Sequence, residues 1–182
     1  MKKLMTFMFA TALICTSVAA RAEKDPMVGG AAMYPTKNIV ENAMNSSDHT
    51  TLVAAVKAAG LVDTLEGSGP FTVFAPTNEA FNKLPAGTVD TLLKPENLDQ
   101  LKKILTYHVV AGRITTKDLK KMIEDGGGKA TLSTVEGGTL TATMRGSTIM
   151  LTDEKGGTAH ITIPNVYQSN GVIQVIDAVL IP

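Results

Sequence analysis

Acid–base, metal or nucleophilic chemistry would have to be built here from very few side chains. The chain has three histidines, His49, His108 and His160, and one cysteine, Cys15. No two histidines stand in the His-x-x-x-His or His-Glu-x-x-His spacing that sets two imidazoles on one helix face for zinc. Asp153-Glu154-Lys155-Gly156 lacks the alternating carboxylates and the closing bidentate Glu of a calcium loop, so it reads as a hairpin turn. Gly126-Gly127-Gly128-Lys129-Ala130 resembles half of a phosphate loop. The motif, however, wants a glycine where this chain has Ile123 and a hydroxyl where it has Ala130. A helical pattern precedes those glycines and a strand pattern follows, so their amides open no helix N-terminus for an anion. No Gly-x-Ser-x-Gly elbow surrounds Ser68, Ser133, Ser147 or Ser169. The residues therefore predict no catalytic site, no metal site and no cofactor. Asn45-Ser46-Ser47 has the form of a glycosylation acceptor, but it falls between two helical patterns and reads as their linking turn.

The elements that would hold these residues follow from periodicity. Ile39, Val40, Ala43 and Met44 share one helical face, and a second helix carries Leu52, Val53, Val56 and Ala59 up to Gly60. After the Gly67-Ser68-Gly69-Pro70 break, Phe71 to Ala75 is a short aromatic and β-branched run that suits a buried strand. Thr77 then caps a helical turn that points Phe81 and Leu84 inward. Leu98, Leu101, Ile104, Leu105 and His108 form an apolar stripe on a helix opened by Pro95; Val109 and Val110 follow as a strand. Thr116 is placed to cap a last helix through Ile123. The final third changes character: 129–135, 139–144, 148–152, 159–166 and 172–180 are strand-like runs separated by short Gly-containing turns. Helices mainly in the first two-thirds and hairpins in the last give an α+β domain.

Of 182 residues, 44% are apolar and 19% charged, which excludes a wholly disordered chain and fits one domain. Residues 1–22 read as a secretory signal peptide: Lys2 and Lys3, an acid-free apolar stretch of about 15 residues, then small residues at Ala20 and Ala22. That stretch is short of the roughly 20 residues a membrane-spanning helix needs. Its removal takes away Lys2, Lys3, Arg21 and Cys15, leaving 14 basic and 17 acidic groups, a net charge of −3. The mature chain is thus expected to be exported, without disulfide or thiolate, and is not a basic nucleic-acid binder. Residues 23–35, with two prolines and Gly29-Gly30, read as an extended arm.

Thr72-Val73-Phe74-Ala75-Pro76-Thr77-Asn78-Glu79-Ala80-Phe81 resembles the first signature of fasciclin-like (FAS1) domains. Tyr107-His108 resembles that family's tyrosine-histidine motif, and the run from Ser169 through Leu180, with Asn170, Gly171, Val172, Ile176 and Asp177, resembles its C-terminal signature. The resemblance covers residues 36–182 and extends to single-domain secreted bacterial members. One position departs from the pattern: Gln174 stands where the family commonly has His, and an amide cannot change charge near neutral pH. The resemblance implies a wedge of two β-sheets with helices packed around it. It also implies a non-catalytic binding module, in cell adhesion or surface and matrix association, for a protein or carbohydrate partner in the periplasm or outside the cell. Tyr107 and His108 become candidate partner-binding residues. The other signature residues, Thr72, Phe74, Pro76, Thr77, Asn78, Phe81, Asn170, Gly171, Val172, Ile176 and Asp177, are expected to build the core.

For His108, at the end of an apolar stripe, the pattern predicts a buried neutral imidazole near the Phe71–Phe81 segment, bonded to backbone or to Thr77 or Asn78. The rival function is a periplasmic or extracellular small-molecule-binding protein or hydrolase. A deep apolar pocket on which His108, His160 or Tyr167 converge would favour it.

Overall fold

The structure is a computed structural model that describes residues 25–182; the segment read as a signal peptide lies outside them. The segment read as an extended arm makes a tight hairpin instead, β1 (Met27–Val28) on β2 (Ala31–Ala32), turned by Gly29 and Gly30 at positive φ. It buries Met33 and leaves Tyr34 exposed.

Helix α1 (Ile39–Asn45) starts at Asn38, which forms a capping box with Glu41. Its buried face carries Ile39, Val40 and Asn42, whereas Met44, expected inside, is 48% exposed. Asn42 tolerates burial because it bonds Tyr34 and Gln168. Helices α2 (Thr50–Ala58) and α3 (Val62–Glu66) follow, then strand β3 (Phe71–Pro76). Short helices α4 (Asn78–Asn82) and α5 (Thr88–Leu92) lead to α6 (Leu98–Tyr107). Pro95 opens a 3-10 turn, Pro95–Asn97, so α6 begins at Leu98, the first residue of its apolar stripe, rather than at Pro95. Strand β4 (Val109–Ala111) precedes α7 (Thr116–Asp125). Thr115, not Thr116, caps α7, through a reciprocal box with Asp118; the Thr116 hydroxyl and amide turn to Asn165.

The last third gives β5 (Lys129–Ser133), β6 (Thr139–Arg145), β7 (Thr148–Thr152), β8 (Thr158–Gln168) and β9 (Gly171–Ile176). The last strand ends at Ile176 rather than Leu180. Among the described residues seven strands form one sheet in the order β4-β3-β9-β8-β7-β6-β5, with β3 and β9 parallel and every other pair antiparallel. The two sheets of the wedge are joined through β8. This strand pairs with β7 near its start and with β9 from Ile161 to Gln168 across two register shifts, and such bulges bend a strand. At the far edge Val110 bridges Thr134 and the Val135 amide donates to Val109, which nearly closes the sheet on itself.

Two cores result. Inside the wedge lie Phe74, Tyr107, Leu140, Leu151, Ile176 and Leu180, with Leu119 and Ile123 of α7 packed against them. Between the helices and the outer face of β3 and β9 lie Ile39, Leu52, Val56, Leu101, Val73 and Ile173. All six residues of β9 are buried, as expected for a parallel strand covered on both faces. Burial of each large apolar side chain stabilises by about 1.5–3 kcal/mol, so packing can hold a domain without disulfides.

Candidate functional site

The Tyr107-His108 pair sits where α6 runs into β4, and both side chains point inward, 0% and 2% exposed. The Tyr107 hydroxyl donates to the Thr139 carbonyl at 2.6 Å and accepts from the Glu154 amide at 3.2 Å, pinning α6 to the β6–β7 end of the wedge. Burial holds the phenol above its ordinary pKa. The His108 ring spans Ile104 and Leu180: Nδ1 lies 2.7 Å from the Ile104 carbonyl, and Nε2 accepts from the Leu180 amide at 3.0 Å. Only the neutral tautomer with the proton on Nδ1 serves both partners. Burial lowers the ring's pKa from 6.5 to about 4.

The sequence predicts a buried His108 ring bonded to backbone or to Thr77 or Asn78; the structure gives backbone, the Ile104 carbonyl and the Leu180 amide, and neither side chain. Its backbone carbonyl alone meets the first signature, accepting from Phe74 at 2.9 Å. Tyr107 and His108, the candidate partner-binding residues, are both buried.

The signature residues have structural tasks that can be read atom by atom. Thr72 donates to the Gly112 carbonyl and accepts from the Ile114 amide, fixing the loop after β4. Thr77 caps α4, while Asn78 accepts from Thr51 and donates to the Ser47 carbonyl, tying α4 to the start of α2. Phe74 and Phe81 are buried in different cores, and Pro76 closes β3. Asn170 accepts from the Ile39 amide and donates to the carbonyls of Leu65 and Gly67, so one buried amide joins α1, α3 and the β8–β9 turn. Gly171 packs so closely on β3 that an added Cβ would collide with the Phe71 carbonyl. Val172 and Ile176 are fully buried.

Gln174 is fully buried beside the β8 bulge. Its carbonyl accepts from the Asn165 amide at 2.9 Å, and its amide donates to the Ile114 carbonyl and to Asn165 Oδ1. Asn165 itself holds a positive φ of 55° and caps α7 through Thr116. An uncharged amide, with two donors and an acceptor, suits this junction.

The remaining histidines are apart from one another. His160 Nδ1 is 3.3 Å from Asp177, whose backbone carbonyl accepts from Lys83 at 2.6 Å; all three side chains are partly exposed. Among the described residues no serine hydroxyl bonds His160. His49 is buried beside Ser46. Tyr167 is 41% exposed, and thus His108, His160 and Tyr167 do not converge. Among the described residues no group of three His, Cys, Asp or Glu side chains could hold a metal ion, and no helix is long and apolar enough to cross a membrane.

Among the exposed large apolar side chains, Met27 and Tyr34 belong to the arm and Met44 to α1, at 54%, 45% and 48% exposed, while Met122, Val135, Met144 and Tyr167 are exposed on other elements. The hairpin bonds to the end of α1 through Ser47, and Tyr34 bonds to Asn42, which holds the arm along this helix. Lys37 lies over the Tyr34 ring at 5.4 Å.

This wedge, with its buried tyrosine-histidine pair and parallel β3–β9 core, is the FAS1 fold. The structure superposes with a TM-score of 0.71 on the FAS1 domain pair of the insect cell adhesion molecule fasciclin I, at 20% identity, covering 80% of this chain and 51% of that one. The Fasciclin domain family model matches residues 47–182, and the chain belongs to that family. Protein sll1483 of Synechocystis sp. is 46% identical over 160 residues, 88% of this chain and 82% of its own. Immunogenic protein MPB70 of Mycobacterium bovis is 37% identical over 174 residues, 92% and 80% of the two chains. Cell surface glycolipoprotein MPB83 of the same species is 36% identical over 174 residues, 92% and 70%.

Proposed function

We propose that this chain is an exported, non-catalytic binding module that associates with a protein or carbohydrate at a cell surface or matrix, in the periplasm or outside the cell. The observation that carries this reading is the division of labour just described. The motif residues most capable of chemistry are spent on internal hydrogen bonds, while Met27 and Tyr34 of the arm, which is hydrogen-bonded to the α1 region, and Met44 of α1 remain exposed. Exposed apolar groups of this kind, with Lys37 over the Tyr34 ring, are what interaction surfaces use. Two names support the setting: MPB83 is described as a cell surface glycolipoprotein, and fasciclin I as a cell adhesion molecule. The mature charge of −3 gives no attraction for nucleic acid.

The test is binding of domain-coated fluorescent beads to cells of the source strain. A triple variant, Met27→Ser, Tyr34→Ser and Met44→Ser, should keep its fold, since exposed substitutions usually change stability by within about 0.5 kcal/mol each. Its bead binding should fall several-fold. Unchanged binding would refute the assignment of the surface.

A further inference from the structure

We propose that the domain also binds a free single-chain alkanoate, its hydrocarbon tail in the space between the helices and the sheet and its carboxylate at Lys57. This goes beyond surface association and does not depend on it. Between α1, α2, α3 and the outer face of β3 and β9 lies a largely enclosed cavity of about 60 Å³, walled by side chains such as Val40, Leu52, Val56, Val73 and Ile173. Voids larger than a water are few in a close-packed interior. The wall extends from Val28 in the hairpin to Val135 beyond β5, so the space is long for its volume and suits a chain better than a bulky ring.

The wall also sets the chemistry of the occupant. Its buried polar residues are already engaged: Ser46 bonds His49, which lies beside the Ala75 backbone, and the His108 ring is held by Ile104 and Leu180. The part of a ligand that lies inside is therefore apolar throughout. Water gains little there, because a buried water usually makes about three hydrogen bonds and apolar cavities stay dry.

Among the described residues Lys57 is the one lysine, arginine or carboxylate in this wall; Asp63 and Glu66 of the neighbouring α3 are not part of it. Lys57 stands in the last turn of α2 and is exposed, as is Thr64 of α3, so these two mark where the cavity meets solvent. A lysine in this position lays its methylene stem on apolar surface and keeps its ammonium in water. A carboxylate meeting that ammonium at the mouth stays hydrated while its tail leaves water. A cationic head would be repelled there, and a charge carried deeper would lose its hydration.

The experiment titrates sodium butanoate, pentanoate and hexanoate into the purified protein at constant ionic strength and follows the ¹³C methyl shifts of Val40, Leu52, Val56 and Ile173. Millimolar hexanoate should move these resonances saturably, with affinity rising about fourfold per added methylene along the series. Hexylammonium should bind about threefold more weakly than hexanoate. Lys57→Gln, an exposed change that leaves the fold intact, should weaken hexanoate about threefold. Ala43→Leu, which extends a side chain of the wall into the space, should abolish the methyl shifts. Shifts that do not saturate or that spare these four residues would overturn the proposal, as would hexylammonium binding as well as hexanoate, or undiminished affinity in Lys57→Gln or folded Ala43→Leu. If Ala43→Leu fails to fold, the mapped shifts and Lys57→Gln decide. Bead binding to cells is read separately, so either idea can fail without the other.

Discussion

Acidification should destabilise this domain by about 3 kcal/mol through His108 alone. The ring is 2% exposed, and its two nitrogens are engaged by the Ile104 carbonyl and the Leu180 amide. A second proton would have to sit on Nε2, facing the Leu180 N–H, with both the bond lost and a charge buried. The folded ring therefore titrates at about 4, while the unfolded chain titrates at its ordinary 6.5. Between those values the unfolded state holds more protons, so stability rises with pH across this window and is lost as pH falls through it. At 1.36 kcal/mol per pH unit, the gap amounts to about 3 kcal/mol, fully expressed only near pH 4. The assay is urea unfolding followed by circular dichroism at several pH values from 7.5 to 4, for the unaltered protein and for His108→Gln. The variant should be about 2 kcal/mol less stable at pH 7.5. That deficit should disappear or reverse by pH 4, because Gln binds no proton. Burial lowers the pKa of His49 as well, but His49 is present in both proteins and drops out of the difference. Parallel stability curves, or a folded His108 ring that titrates near 6.5 by NMR, would refute the reasoning.

Two further substitutions probe the family signature. Asn170→Ala removes three hydrogen bonds that join α1, α3 and the β8–β9 turn, and should cost about 3 kcal/mol in urea unfolding with the m-value unchanged. Gln174→His restores the commoner family residue but offers one donor and one acceptor where three bonds are now made, so it should cost about 1–2 kcal/mol at pH 7.5. Its deficit should grow as pH falls below 6.5 if the new ring is held neutral.

What the sequence discloses is local. The α6 stripe, the Phe71–Ala75 strand and the Gly-punctuated hairpins each announce themselves within ten or so residues, because periodicity and turn chemistry act at that range. The signature residues announce the family in the same way. What the sequence conceals depends on distant partners. Asn42 takes the inward place expected for Met44 because Gln168, 126 positions away, pairs with it. That His108 would bond backbone is within the sequence reading, but that one of its partners is Leu180, 72 positions on, is not. The bulges that let β8 serve both halves of the sheet, and the Val110–Thr134 bridge that nearly closes it, leave no periodic trace. Helices α3 and α5 are single turns, too short for a stripe. Thr115 and Thr116 are adjacent hydroxyls, and only the position of Asp118 as reciprocal partner selects the first as the cap.

The central claim is that recognition belongs to the exposed arm and α1 surface, while the tyrosine-histidine pair holds the fold. Bead binding to source cells, measured side by side for the unaltered protein, the Met27/Tyr34/Met44 serine variant and folded His108→Gln at pH 7.5, tests it most directly. The account predicts several-fold loss for the serine variant and near-normal binding for His108→Gln. The opposite pattern, normal binding without the apolar patch and lost binding in a folded His108→Gln protein, would contradict it.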